Sequence, residues 1–485
     1  MNDRSRSLQC LVTPEYFARR TRRGAAAASR VPFIESLLVV TVLGTMAIAH
    51  PLAAQSIANF ADSVIVLSSA GAAARIAAAH GVGVEEARLR VEQAEARIGQ
   101  ERAGLLPSAS LEVSDGRRTF NTASFGIDFP TQPGEPPLFD PEGQVEGPVR
   151  TVDIRGRVTA PLLNLSALAR VHSARAEARA TEAASANSAR SAALSGAMRF
   201  VRAVRAQSLI RAREADSTLA TELLGIARSQ LAAGVGVGLD VTRAQAQVAR
   251  AHADLISARI DRDRARLELA RALGIPLDSR LALPDSLPPP AGVATVVPDA
   301  VDAAVRQRAD VRAADLDLEA ARRDVTAIRA ERLPVIGVFA DDGRTGLDYS
   351  TLLETYTYGV QLTIPVFEGL HRHNRIAEQR AIARELDVHR RDLRQQVALE
   401  VQSATLELDA AAGQVEAARG RLRLAELEVS QARDRFTAGV SGNADIASAL
   451  LSLNQARTAL INVLAAAQEA RVALAAASGT ITDLP

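Results

Sequence analysis

Apolar and polar positions alternate from Tyr356 to Ile364. Tyr356, Tyr358, Val360, Leu362 and Ile364 stand against Thr357, Gly359, Gln361 and Thr363. Successive side chains of a strand point to opposite faces, so a period of two predicts a strand with one apolar face. Val152, Ile154, Val158 and Ala160 alternate in the same way with Asp153, Arg155, Arg157 and Thr159. Shorter strand signals precede both, over 108–114 and 335–341. The rest of the pattern is helical. Proline costs about 3 kcal/mol inside a helix, and four stretches lack it: 52–106, 162–275, 299–333 and 366–484. They predict two long helices that begin after Pro161 and Pro365 and run to Ala233 and Ala438. Each would be about 105–110 Å long at 1.5 Å per residue. The turns "AGVGVGLD" and "AGVSGNAD" follow, with glycine suited to a C-cap. Asp240 and Asp445 then suit the N-caps of returning helices over 240–274 and 445–478. The stretches 64–106 and 299–333 are also half length, and two half-length helices stacked end to end match one long one.

The chain repeats itself. "RAGLLP", ending at Pro107, matches "RAERLP", ending at Pro334. Three further pairs are offset by 204 or 205 residues: Thr159–Asn164 with Thr363–Glu368, Ala232–Val241 with Thr437–Ile446, and Ala272–Ile275 with Ala477–Thr480. Ordered matches at a nearly constant offset signal a duplication. The expected organisation is a first repeat over 55–275, with a helix to 106, strands and a long loop over 107–161, and a helical hairpin over 162–275. A Pro-rich linker over 276–298 follows. The second repeat covers 299–479, with a helix to 333, strands over 334–365 and a hairpin over 366–479.

Composition narrows the chemistry. The 485 residues include no Trp and a single Cys, Cys10, and all 57 basic residues are Arg. A P-loop lysine, a Schiff base, an intrachain disulfide and a cysteine zinc site are thereby excluded. Seven Arg precede an uncharged apolar run over 36–49, and small residues follow. This predicts a secretory signal over 1–54, because the run is too short to span a bilayer. Without it the chain has 50 basic and 53 acidic residues, a balance that argues against nucleic acid. His371 and His373, two apart on a helix, do not share a face and make a poor metal site. No catalytic triad, carboxylate pair or phosphate loop is present, so neither an enzyme nor a cofactor is expected.

Nine of the twelve aromatics after residue 55 lie within 107–161 or 334–367, where the strands are. Aromatic residues near strand ends suit a transmembrane β-barrel. Four strands cannot close one, so the chain must oligomerise, and three copies supply twelve strands. The duplicated order of "LP", strand, loop, strand, "PLL" or "PVF", long helix, "AGV" and returning helix resembles the TolC-like outer-membrane efflux family. The resemblance covers residues 60–480.

It implies a mostly α fold with membrane β. A homotrimer would form a 12-stranded barrel continued by a periplasmic α-helical barrel. It also implies a passive exit duct in the outer membrane, extending into the periplasm. Its partners would be a periplasmic adaptor and an inner-membrane transporter, in efflux or type I secretion. Asp445, with Ser448 one turn on, would line the periplasmic aperture. Gly234, Val235, Gly439 and Val440 would be adaptor-docking helix tips. Tyr356, Tyr358, Val360, Leu362 and Ile364 would face lipid, and the loop over 116–150 would lie outside the cell. The rival readings are a periplasmic adaptor, with one hairpin between β-rich domains, and a coiled-coil scaffold, without amphipathic strands.

Overall fold

A computed structural model describes residues 64–121, 143–289, 300–438, 440 and 442–485. The expected signal segment, Gly439 and the centre of the long loop lie outside the described residues. The elements run β1 (Ile65–Val66), α1 (Ala70–His80), α2 (Val82–Ala103), β2 (Ser108–Asn121), β3 (Val145–Asn164), α3 (Leu165–Ala232) and α4 (Gly238–Leu273). The second half continues with β4 (Leu281–Ala282), α5 (Ala300–Gln307), α6 (Ala309–Ala330), β5 (Val335–Gly346), β6 (Leu353–Thr363), α7 (His371–Thr437) and α8 (Asn443–Ser478). Strands β2, β3, β5 and β6 form one antiparallel sheet in that order. The long helices α3 and α7 have 68 and 67 residues, about 100 Å each.

Several boundaries differ from the sequence reading. The helix expected over 64–106 is preceded by β1 and broken at Gly81, and the one over 299–333 is broken at Arg308. Both break residues adopt extended backbone, with ψ 137° and 130°. The linker over 276–298 contains β4, which pairs in parallel with β1. Strand β3 runs through Pro161 to Asn164, whose side chain caps α3 by accepting from the Ala167 amide at 2.9 Å. In the second repeat β6 stops at Thr363, so Ile364 lies beyond it. Helix α7 starts only at His371, because Gly369 and Leu370 take φ values of 60° and 67°, outside the helical region. Asp240 and Asp445 are not N-caps. Val237 and Gly442 hold those positions, and each aspartate sits in the first helical turn, where its charge still meets the helix dipole favourably.

The helices form a row held by named contacts. Below the middle of α3 the order is α4, α3, α8, α7. Arg199 of α3 pairs with Glu268 of α4. Arg457 of α8 pairs with Asp216 of α3 at 3.0 Å. Asn454 of α8 donates to the same carboxylate, and Arg213 of α3 donates to Thr458 of α8 at 3.2 Å. Helices α7 and α8 share a core of Ala425, Val429, Ala449, Leu453 and Ala456. Above the middle, α2 replaces α4 and α6 replaces α8, so half-length helices do stack against whole ones. One junction is Gly274 after α4, at φ 71°. A Cβ there would lie 1.9 Å from the His80 carbonyl, so only glycine permits α4 to abut α1 and α2. The other is Arg308, which donates to the Ala477 carbonyl at the end of α8. Around these junctions Leu67, Phe200, Val201, Val204, Leu269, Leu273, Val472 and Ile481 form the main core.

Candidate functional site

The residues singled out from the sequence fall on two surfaces: the sheet and the opposite tip. The sheet's registers set its faces. Val360 pairs with Val338, and Val338 with Ala160, while Tyr358 pairs with Ala340 and Ala340 with Val158. Val113 pairs with Ile154, and Ala109 with Val158. All of these share one face, which is apolar across all four strands near the helices, while towards the hairpin end it carries Asp342 beside Tyr356 and Arg344 beside Glu354. Tyr356, Tyr358, Val360 and Leu362 are open on it, with Val360 70% exposed in the single chain. Ile364 is exposed too, just past the strand end.

The other face is polar. Arg155 there pairs with Asp341 of β5 and with Asp153, and donates to Thr355 of β6 at 3.1 Å. Gln361 and Thr357 lie on the same side. Apolar outside and polar inside is the pattern of a water-filled barrel in lipid.

The aromatics sit near the ends of the apolar band. Tyr356 and Tyr358 stack at 6.3 Å. Tyr349 lies 5.4 Å from the Arg150 guanidinium, near the hairpin end. Phe367 is exposed at the helical end. The loop expected over 116–150 is shorter than its sequence suggested, because β2 and β3 extend into it to Asn121 and from Val145.

At the opposite end the two hairpin tips pack together. Phe436 and Ile446 are buried with Leu223, Leu224, Ala227 and Ala244. Gln230 donates to the Phe436 carbonyl at 2.7 Å, which holds both tips at one level. Gly234 has φ 76° and lets the Val235 and Gly236 amides turn back onto the Gln230 carbonyl. Val235 and Val440 remain 77% and 71% exposed. Asp445 and Ser448 are exposed on α8, one turn apart, while the adjacent Ile446 and Ala449 are buried. His371 opens α7, and among the described residues no group of His, Cys, Asp and Glu is placed to hold a metal ion.

Sequence reasoning missed a third cluster at the α5–α6 break. Arg308 pairs there with Asp310 at 2.6 Å and with Glu400 of α7. Arg190 of α3 donates to the Ala476 carbonyl at 3.0 Å. Burial pushes the Asp310 carboxyl up, but the Arg308 guanidinium outweighs it and holds the net value below the ordinary range. Burial depresses Arg190. Higher on α6, burial raises Asp317, against the opposing pull of His389. No motif marks these residues, because they meet only across the stacked junction.

The chain matches the outer membrane efflux protein family over residues 75–275 and 300–480. It belongs to that family. Among curated proteins it is 31% identical over 170 residues to the solvent efflux pump outer membrane protein SrpC of Pseudomonas putida. That match covers 34% of this chain and 35% of that protein. It is 29% identical over 178 residues to the alkaline protease secretion protein AprF of Pseudomonas aeruginosa, covering 35% of this chain and 37% of that protein. The matched stretch thus spans about a third of each curated relative. Among solved structures, a membrane protein from Pseudomonas aeruginosa superposes with a TM-score of 0.69 at 19% identity, over 84% of this chain and 92% of that one. The fold is therefore that of the TolC-like channels.

Proposed function

We propose that this chain is the outer-membrane subunit of an export channel, giving passive exit to material delivered from a pump or secretion machine. The observation that carries the reading is the open sheet with its coherent apolar face. Its edges, β2 and β6, leave backbone donors and acceptors unpaired. Unpaired backbone is not tolerated in lipid, so the sheet must close with other copies. Three copies give twelve strands, a number that encloses an aqueous lumen. The polar face with Arg155 and Gln361 then lines the lumen, and Tyr356, Tyr358, Val360 and Leu362 face lipid. The long helices continue the conduit about 100 Å into the periplasm.

The exposed tip residues Gly234, Val235 and Val440, together with Gly439, would meet a periplasmic adaptor, which links the duct to an inner-membrane transporter. Asp445, backed by Ser448, would ring the aperture. Carboxylates converging on a threefold axis favour cations. The duplicated hairpin and the amphipathic sheet speak against an adaptor or a coiled-coil scaffold. The test is the native mass and conductance of the detergent-extracted protein from the outer-membrane fraction. A trimer that conducts steadily in planar bilayers is expected. A soluble periplasmic monomer would refute the channel.

A further inference from the structure

Where the chain leaves the sheet it exposes apolar side chains. Val366, Phe367 and Leu370 stand open just before α7, and Leu106 and Leu162 are open at the same end. An exposed apolar rim with an aromatic in it marks the edge of the hydrocarbon, where headgroups begin. Directly below, α6 and α7 enclose a groove of about 690 Å³. Arg322 and Arg329 line it from α6, Arg380 and Arg384 from α7, and small Ala377 and Ala383 leave it open. All four arginines are exposed, and none of their guanidiniums has a partner among the described residues. The acids one and two turns below Arg322 are taken: Glu319 pairs with Arg323, and Asp315 with Arg390 and Arg394. Four like charges around one groove repel each other, and an anion between them removes that repulsion.

Depth and side identify the anion. Glu331 pairs with Arg375 at 2.7 Å, which sets the top of α6 level with the first turns of α7. At 1.5 Å per residue, Arg329 then stands about 9 Å below His371, Arg380 about 14 Å, and Arg322 and Arg384 about 20 Å. A headgroup layer is about 5–8 Å thick. Arginine stems snorkel towards such a layer, so the heads of Arg329 and Arg380 meet it. Arg322 and Arg384 lie about one Debye length, ~8 Å, further down and add to the field. Seven-residue steps keep to one side of a helix. On α7 they lead from Arg380 through Asp387 and Arg394 to Val401, which packs under α5 with Val301 and Val305. The groove therefore opens on the side of the row that carries α5. That extra layer has room only outside a conduit, so the groove faces the membrane's surroundings and not the lumen.

We propose that this groove binds the headgroup of an anionic phospholipid from the periplasmic leaflet of the outer membrane. Arg329 and Arg380 hold its phosphate, whose oxygens match the guanidinium fork, and the acyl chains lie along Val366, Phe367 and Leu370. The inference rests on the membrane placement proposed above and names a lipid for it.

The test is native mass spectrometry of the detergent-extracted protein, titrated with phosphatidylglycerol or with phosphatidylcholine. Phosphatidylglycerol should be retained at up to one per chain and phosphatidylcholine should not. Arg329→Gln with Arg380→Gln should weaken retention about 30-fold, about fivefold for each basic residue lost beside an anionic lipid. Both positions are exposed, so the double variant should keep the parent's native mass and circular dichroism. Arg312→Gln, about 15 Å further down α6, is the control and should bind as the parent does. Equal retention of the two lipids, or full retention by the double variant, overturns the lipid site and leaves the channel standing. Displacement of phosphatidylglycerol by equimolar inorganic phosphate also overturns it, in favour of a site for free anions. A parent protein recovered as a soluble periplasmic monomer overturns both site and channel.

Discussion

Val360→Arg tests the orientation of the sheet most directly. Val360 lies on the apolar face, paired with Val338 and exposed. A guanidinium on the lipid side of a barrel costs about 2–4 kcal/mol at the bilayer midplane and about 0–1 near the interfaces. Val360 is close to the centre of the run from Tyr356 to Leu362, so a cost of about 2 kcal/mol per chain, or about 6 kcal/mol per trimer, follows. The neighbouring Gln361→Arg is the control, since a one-residue step along a strand reverses the face. In the lumen its charge stays hydrated, and it should cost under about 1 kcal/mol. The assay is the amount of trimer in outer-membrane fractions, backed by urea titration of protein in lipid vesicles. Val360→Arg should assemble poorly and unfold at lower urea, while Gln361→Arg should resemble the parent. Equal damage from both, or normal assembly of Val360→Arg, would refute the assigned faces.

Three further outcomes are expected. Asp310 is held below the ordinary carboxylate range by Arg308, so it stabilises the fold above the unfolded value of about 3.9 and loses that contribution as pH falls through its depressed value. Asp310→Asn should therefore cost about 1–3 kcal/mol at pH 7, the worth of hydrogen bonds to a charged group, and the gap to the parent in urea unfolding should close in acid. Asp317 is raised by burial, so its sign is opposite: stability is full below about pH 3.9 and is lost as pH rises through the raised value. Asp317→Asn should raise the unfolding midpoint at pH 7 and leave it unchanged at low pH. Asp445→Ala should lower the cation preference of single channels in planar bilayers, and unchanged reversal potentials would leave Asp445 with only its role in the first turn of α8.

The sequence alone determined the repeating architecture, because that depends on local rules. Periods of two and of helical spacing, proline exclusion and glycine turns act over a few residues. They placed the sheet strands, the long helices and the tips, and the alternation from Tyr356 marked the sheet's apolar side. Tertiary structure decided what depends on partners distant in the chain. Helix breaks at Gly81 and Arg308 arise because α4 and α8 end there and their termini must abut something. Strand β4 inside the linker exists because β1 lies beside it. Asn164 rather than Pro161 marks the start of α3, because its side chain reaches the Ala167 amide. The Arg190, Arg308, Asp310 and Glu400 cluster joins positions up to 210 residues apart. Leu399, Leu406 and Leu427 of α7 are exposed and spaced by multiples of seven, but only the order α4, α3, α8, α7 shows that they lie on the helix at the end of the row. Local pattern fixes which face of an element is apolar; packing alone fixes which of those faces is left for another molecule.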